Sequence, residues 1–384
     1  MKRYLFLLAV AVVFSASAQI VVDVSGAGLK KTSVEISVAD REFAKCLAKN
    51  LELSGLFTVK PGGSVKVRGA SGALQAEGKG QSLHRSDVFT DGKSARMAAR
   101  RMADAMCETF EGKKGFACDK IVFLNRSDRI GKSKVLPSEL CVSYPDGFDI
   151  RQLTSDAKMA IFPRWKDAET IYYISDKGGA PQIWQMNVST SLRSCKFSFK
   201  GSPTGIAVSP DGASIAAVLS FQGNPELYVI DLAKGSWRRL TNTPRASEGQ
   251  PAWSPDGRKI AYVSNETRTP QIYVVDISSG AKRRLTSRGR ENIDPDWGPD
   301  GRIAYITKRG GAQVAVMSPE SGDASAELIT AEASWEHPSW ARDGRHLVAS
   351  RDRAIFVVDT MKDGDKPRQM FFAKGNWISP SWIK

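Results

Sequence analysis

The sequence predicts a small α/β N-terminal domain followed by an all-β six-bladed β-propeller closed by the C-terminal strand. Three observations carry that expectation. Residues 251–286, PAWSPDGRKIAYVSNETRTPQIYVVDISSGAKRRLT, read as four strands joined by short turns. Trp253 has counterparts in Trp165, Val208, Trp297, Trp340 and Trp382, at steps of 43, 45, 44, 43 and 42 residues, the period of a propeller blade. The two ends of the array also complement each other: the first blade has no inner strand, and the terminal PSWIK supplies one.

Within the unit, Pro251-Ala252-Trp253 is a short apolar inner strand. Ser254-Pro255-Asp256-Gly257 turns the chain, because Pro255 pre-sets φ, Asp256 can bond its own backbone and Gly257 tolerates positive φ. Ile260 to Val263 and Gln271 to Ile277 are β-branched and aromatic strands, and Lys282 to Thr286 is a polar outer strand. The Asp of each such turn (Asp211, Asp256, Asp300) reads as a turn former rather than as part of a carboxylate array.

From the start of the chain, Lys2-Arg3, the apolar run Leu5 to Phe14 and Ala16-Ser17-Ala18 predict an export signal over residues 1–18, cleaved between Ala18 and Gln19. The run is too short to span a bilayer comfortably, and no Cys follows the cleavage site to take a lipid. A soluble, periplasmic mature protein is expected. Residues 19–115 form the expected α/β domain. Ile20, Val21, Val22, Asp23 and Val24 make a β-type segment ahead of a glycine-rich hinge. It reads either as the first strand of its own domain or as an arm that adds to a partner's sheet. Asp40 is a plausible N-cap for a helix to about Leu53 that buries Phe43, Leu47 and Leu51 and stops at Gly55. Short strands follow at 56–59, 65–67, 74–77 and 82–89. A second helix from about Ser94 to Phe110 buries Ala95, Ala98, Met102, Met106 and Phe110 and ends at Gly112. Its stripe of Lys93, Arg96 and Arg100 reads as a solvated helix face. Residues 116–384 are the propeller. In its first blade Lys120 to Arg126, Glu139 to Tyr144 and Asp149 to Thr154 are the second, third and fourth strands, so the C-terminus is expected beside residues 120–126.

Lys and Arg number 55 against 41 Asp and Glu, a formal net charge of +14. Export argues against nucleic acid as a partner and turns the excess toward envelope polymers or solubility. Five cysteines (Cys46, Cys107, Cys118, Cys141, Cys195) are an odd set without metal-knuckle spacing and read as single buried thiols. With only His84, His337 and His346 there is no zinc-type His pair. Nucleophile-elbow, Walker and dinucleotide signatures are absent. Ser155-Asp156-Ala157-Lys158 matches Ser-x-x-Lys, but in a loop and without companion motifs. No catalytic, metal or cofactor site is expected.

The repeat P-x-W-S-P-D-G-x-x-I-A-Y-V-S, Q-I-Y-V-V-D and R-R-L-T, with IVVDVSGAG just after the signal and KKGFACDKIVFLNR at the domain junction, resembles the TolB family of the Tol-Pal envelope system. Blade two departs from it with Lys166-Asp167-Ala168 for Ser-Pro-Asp, blade three has Val208 for Trp, and the N-terminal domain is shorter than usual for the family. The resemblance implies a non-catalytic periplasmic scaffold supporting outer-membrane integrity and cell division. Its propeller would bind the peptidoglycan-associated lipoprotein Pal, and its N-terminal part would contact TolA.

The residues just before each inner strand match the family positions facing Pal, which assigns Ser202, Thr204, Gly205, Glu248, Gly249, Gln250, Glu291, Asn292, Asp294, Glu336, His337, Trp377 and Ser379 to a docking mouth. Read from charge, Glu248, Glu291, Asp294 and Glu336 would form a ring of carboxylates there. Two rival readings are a propeller retained from a secreted peptidase and a propeller that binds a cell-wall glycan or peptide in its channel, with Trp335 and Trp377 as stacking platforms. The roughly one hundred residues outside the blades are too few for a hydrolase domain.

Overall fold

A computed structural model describes residues 31–127, 136–221, 223–361 and 366–383. The signal segment, the cleavage point Ala18/Gln19 and the arm Ile20 to Val24 lie outside the described residues. The N-terminal domain runs β1 (Thr32–Val38), α1 (Arg41–Leu53), β2 (Phe57–Val59), β3 (Val65–Ala70), β4 (Ala73–Gly78), β5 (Gln81–Arg85) and α2 (Gly92–Glu111). The sheet order is β2-β1-β3-β4-β5, with β1 parallel to both neighbours and the rest antiparallel. Alternation puts Val34, Val65, Val67, Leu74 and Ala76 on the buried face, against Phe43, Leu47 and Leu51 of α1 and Ala98, Met102 and Met106 of α2. The helix ends follow their sequence signals. Asp40 accepts from the Phe43 N–H at 2.8 Å, Asp91 and Ser94 make a reciprocal capping box, and Gly112 closes α2 in the left-handed region. The central strand β1 was not anticipated, although Thr32, Val34 and Ile36 alternate as a strand should.

The propeller has six four-stranded antiparallel blades. Their inner strands are Ala160–Trp165, Ser202–Val208, Glu248–Trp253, Glu291–Trp297, Glu336–Trp340 and Trp377–Trp382. The last belongs to blade I and pairs antiparallel with Ile121–Arg126, matching Trp382 to Ile121 and Trp377 to Asn125. The expected closure is therefore the one observed. Three devices recur among the blades. In the turns, Asp211 accepts from Ser209 and from the Ala213 N–H, Asp256 from Ser254 and from the Arg258 N–H, and Asp300 from the Arg302 N–H. The Thr that ends the outer strand accepts from the third strand's N–H: Thr154 from Leu140, Thr241 from Leu227, Thr286 from Ile272 and Thr330 from Val314, at 2.9–3.0 Å. Between blades, inner-strand indoles donate to the preceding blade's backbone: Trp253 to Ala207, Trp340 to Asp296 and, across the closure, Trp165 to Ser381.

The N-terminal domain sits on the face formed by the turns after the inner strands, astride the seam between blades VI and I. Asp146, in the third turn of blade I, is 3% exposed and takes Nε of Arg100 at 2.7 Å, Nδ2 of Asn50 at 2.9 Å and Sγ of Cys46 at 3.2 Å. Asp149 takes Arg100 at 2.6 Å and Arg96 at 2.7 Å, and Arg96 also reaches Glu42. The Arg96/Arg100 part of the stripe is thus a domain interface and not a solvated face; helical spacing looks the same toward water and toward a neighbour. On the other side of the seam, Arg368 of blade VI donates to the Leu53 carbonyl at 3.0 Å, and Lys49 reaches Gln369. The linker residue Phe116 packs edge-on against Trp382 and His346. The corresponding arginines elsewhere bond the next blade instead, Arg238 to Ile277 and Arg283 to Pro319.

All five cysteines are unpaired: Cys46, Cys107 and Cys141 are buried as expected, Cys118 is half-buried and Cys195 is exposed. No helix among the described residues is long and apolar enough to cross a membrane.

Candidate partner-binding mouth

Counting three residues back from each tryptophan position gives Phe162, Gly205, Gln250, Asp294, His337 and Ser379. Five of the six are non-glycine residues in the left-handed region, with φ of 51° at Phe162, 46° at Gln250, 53° at Asp294, 51° at His337 and 49° at Ser379. Each of the five precedes a proline (Pro163, Pro251, Pro295, Pro338, Pro380), and pairing with the second strand shifts register at this point in every blade. Proline cannot donate to the ladder, so a bulge is where the chain accommodates it. The left-handed residue before it costs about 1–3 kcal/mol, and such strain gathers at functional sites.

The six bulges converge on the propeller axis. The Gln250 amide donates to Asp294 Oδ1, while Asp294 N–H donates back to Gln250 Oε1 at 3.0 Å. His337 N–H donates to Asp294 Oδ2 at 3.1 Å, and His337 Nδ1 lies 3.2 Å from the same oxygen. Phe162 of blade II approaches the His337 ring edge-on at 6.3 Å, and the Arg164 guanidinium stands 5.9 Å from the Phe162 centroid. A Cβ on Gly205 would come within 3.2 Å of the Gln250 nitrogen. Blades II, IV, V and VI are thus joined by side chains at the channel, and the Gly205 backbone of blade III abuts Gln250.

Burial pushes the His337 pKa down, but the charge and hydrogen bond of Asp294 outweigh it and hold the imidazole above its ordinary value. For Asp294 burial works upward, and His337 with Arg164 brings the carboxyl below its usual range. Beyond this ring the channel widens into a cavity of about 270 Å³, lined among others by Arg164, Trp165, Trp253, Asp296 and Trp382, at the end where the N-terminal domain sits. The bulge ring lies directly against this cavity, about midway along the inner strands, with Gln250 next to the lining residue Pro251 and with Asp294 and Ser379 buried.

Gly205, Gln250, Asp294, His337 and Ser379 of the expected mouth belong to this ring. Ser202 and Thr204 are exposed beside it, Gly249 is half-buried, and Glu336 is exposed at the rim. These segments are not free loops, because Glu248, Glu291, Glu336 and Trp377 each open an inner strand. The ring of carboxylates does not form. Glu248 is 4% exposed and accepts from Thr243 at 2.6 Å, and Glu291 pairs with Lys308 at 2.9 Å. Asn292 is buried on Gln271 and the Arg288 carbonyl. Trp335 and Trp377 are core residues whose indoles donate to Ala331 and Ala373, which removes them as sugar platforms. Phe162 and Arg164 were missed, although Phe162-Pro163 stands in the same register before Trp165 as the other five positions do before theirs. Among the described residues no group of three or more His, Cys, Asp or Glu is placed to hold a metal ion.

The family model described as the TolB beta propeller domain matches residues 107–384. The crystal structure of TolB from Acinetobacter baumannii is similar over 94% of this chain and 98% of that one, with a TM-score of 0.77 at 22% identity. A candidate TolB from Agrobacterium tumefaciens aligns over 68% of this chain and 92% of its own, with a TM-score of 0.53 at 20% identity. A chain of a nidogen/laminin complex reaches a TM-score of 0.55 at 11% identity, over 68% of this chain and 98% of that one, which is a likeness of fold.

Proposed function

The chain belongs to the TolB β-propeller family, and from that premise we propose that it is a non-catalytic periplasmic scaffold of the Tol-Pal system. Its propeller mouth docks Pal and its N-terminal part engages TolA, supporting outer-membrane integrity and constriction during division. The observation that carries this reading is the ring of left-handed, pre-proline residues around the channel, with Gln250, Asp294 and His337 locked to one another. A rigid polar ring holds its donors and acceptors ready for a partner and loses little entropy when one arrives. Exposed Glu336 and Thr204 at its edge supply a polar rim.

The test is Pal binding by calorimetry to the parent and to Gln250→Ala, His337→Ala and Glu336→Lys. Glu248 is left intact, since a lysine there would be buried. We expect weakening of about tenfold or more for the combined variant, the loss of one central anchor, with TolA binding unchanged. Removing residues 19–25 should have the reverse pattern. Parent-like Pal affinity in the combined variant would place the interface elsewhere.

A further inference from the structure

Outside the mouth, the repeat is broken at one place on the flank. Ahead of the outer-strand arginine, or its counterpart, other blades carry Ile150, Lys282, Ala326 and Pro367, whereas blade III carries Trp237. Blade II departs too. Its outer strand Arg193–Phe197 has five residues against two or three in the others, and Phe197-Ser198-Phe199 follows where a Leu-Thr anchor would stand. Phe197 and Phe199 pack against the core shared by blades II and III, while Trp237 stays at the surface.

The substituted residues meet. Phe197 stacks on Phe199 at 6.1 Å, Phe199 meets Phe221 at 6.5 Å, and Phe221 lies flat against Trp237 at 5.3 Å and 17°, with Tyr228 edge-on to both. Five rings form a terrace from blade II to blade III. At its outer end Trp237 stays 50% exposed, one face backed by Phe221. Lys196 and Lys200 stand at the two ends of the Phe197-Ser198-Phe199 stretch, and Lys234 and Arg238 flank the tryptophan. The carboxylates beside them are already used: Glu226 holds Arg239, Thr241 and Thr243, Asp156 holds Arg193 and Lys177, and Asp231 accepts from its own turn. No carboxylate among the described residues pairs with Lys196 or Lys200, and Lys234 has the turn carboxylate Asp231 beside it.

We propose that this terrace binds an acidic glycan. A sugar ring offers an apolar C–H face whose positive edge complements the negative face of an indole, while its polar groups point outward. Acid groups on the same chain would meet the unpaired ammoniums, and the excess positive charge of the protein raises the local concentration of such a polymer. An acidic peptide fits less well. Trp237, the exposed ring, lies on a three-residue outer strand, too short a template for strand addition. The terrace is on the flank, so this inference is independent of docking at the mouth.

Calorimetry and tryptophan fluorescence with short alginate oligomers test it, with chitohexaose as the neutral glycan and poly-L-glutamate as the acidic non-sugar. Alginate should bind and perturb the emission. Trp237→Ala should weaken it about tenfold, the loss of one stacked ring, while Trp237→Phe keeps most of the affinity. Lys196→Gln with Lys200→Gln should weaken it and flatten its salt dependence. Each variant's melting curve checks its fold. The proposal is overturned if alginate does not bind, if Trp237→Ala binds it like the parent, or if poly-L-glutamate binds as tightly.

Discussion

At the scale of single residues, His337 and Asp294 make the mouth sensitive to pH. A histidine whose folded pKa is raised above 6.5 contributes fully below that value and loses its contribution as pH rises through the folded pKa. Asp294, depressed below 3.8, contributes above that value and fails as pH falls through its folded pKa. The pair is therefore intact in the interval between. In an NMR titration the His337 ring should show a midpoint above 6.5, and Asp294→Asn should lower it; a midpoint indifferent to that change contradicts the pairing. Sequence could align these positions but not orient them. Glu248 and Glu336 each open an inner strand and look equally solvated in sequence, yet one is buried on Thr243 and the other is exposed. Phe162 carried no charge and so drew no notice, although its register placed it at the axis.

At the scale of elements, two contacts can be tried. Four outer strands hang on a threonine hydroxyl, so Thr286→Val removes the acceptor of the Ile272 N–H and the bond to Gln271. We expect a loss of about 1–3 kcal/mol in chemical denaturation, the cost of leaving a buried donor unsatisfied. Arg100 is 1% exposed between Asp146, Asp149 and the Tyr144 ring, with the guanidinium 4.0 Å above that ring. Arg100→Ala leaves Asp146 buried with its charge uncompensated, which costs about 3–5 kcal/mol; denaturation followed by fluorescence and by limited proteolysis at the linker should register it. Helix caps and turns were legible because Asp40, Gly112 and the Pro-Asp-Gly corners act on their own neighbours. The domain contact was not, since Asp146 is only 46 residues from Arg100 in sequence but belongs to a different body. Nothing in the periodicity of α2 names its partner.

At the scale of the whole molecule, the period of the tryptophans disclosed the number of blades and the orphan PSWIK disclosed the closure, because both are relations between distant copies of one pattern. Deleting residues 378–384 removes Trp382, 1% exposed, and strips the edge of Ile121–Arg126. Loss of the tryptophan alone is worth about 3–5 kcal/mol. We expect a sharply lower melting temperature, and an unchanged curve would disprove the role of the seam. The seam also has a consequence in time. Each other blade is woven from one continuous stretch of chain, whereas blade I joins partners such as Asn125 and Asn376, 251 residues apart. Closing so long a loop is entropically the most expensive pairing in the ring, and it is rewarded only once the neighbouring blades already hold the two ends near each other. Refolding should therefore pass through an open arc in which five blades are protected from hydrogen exchange before Ile121–Arg126 is, and during that interval the bare edge is where chains can join to one another.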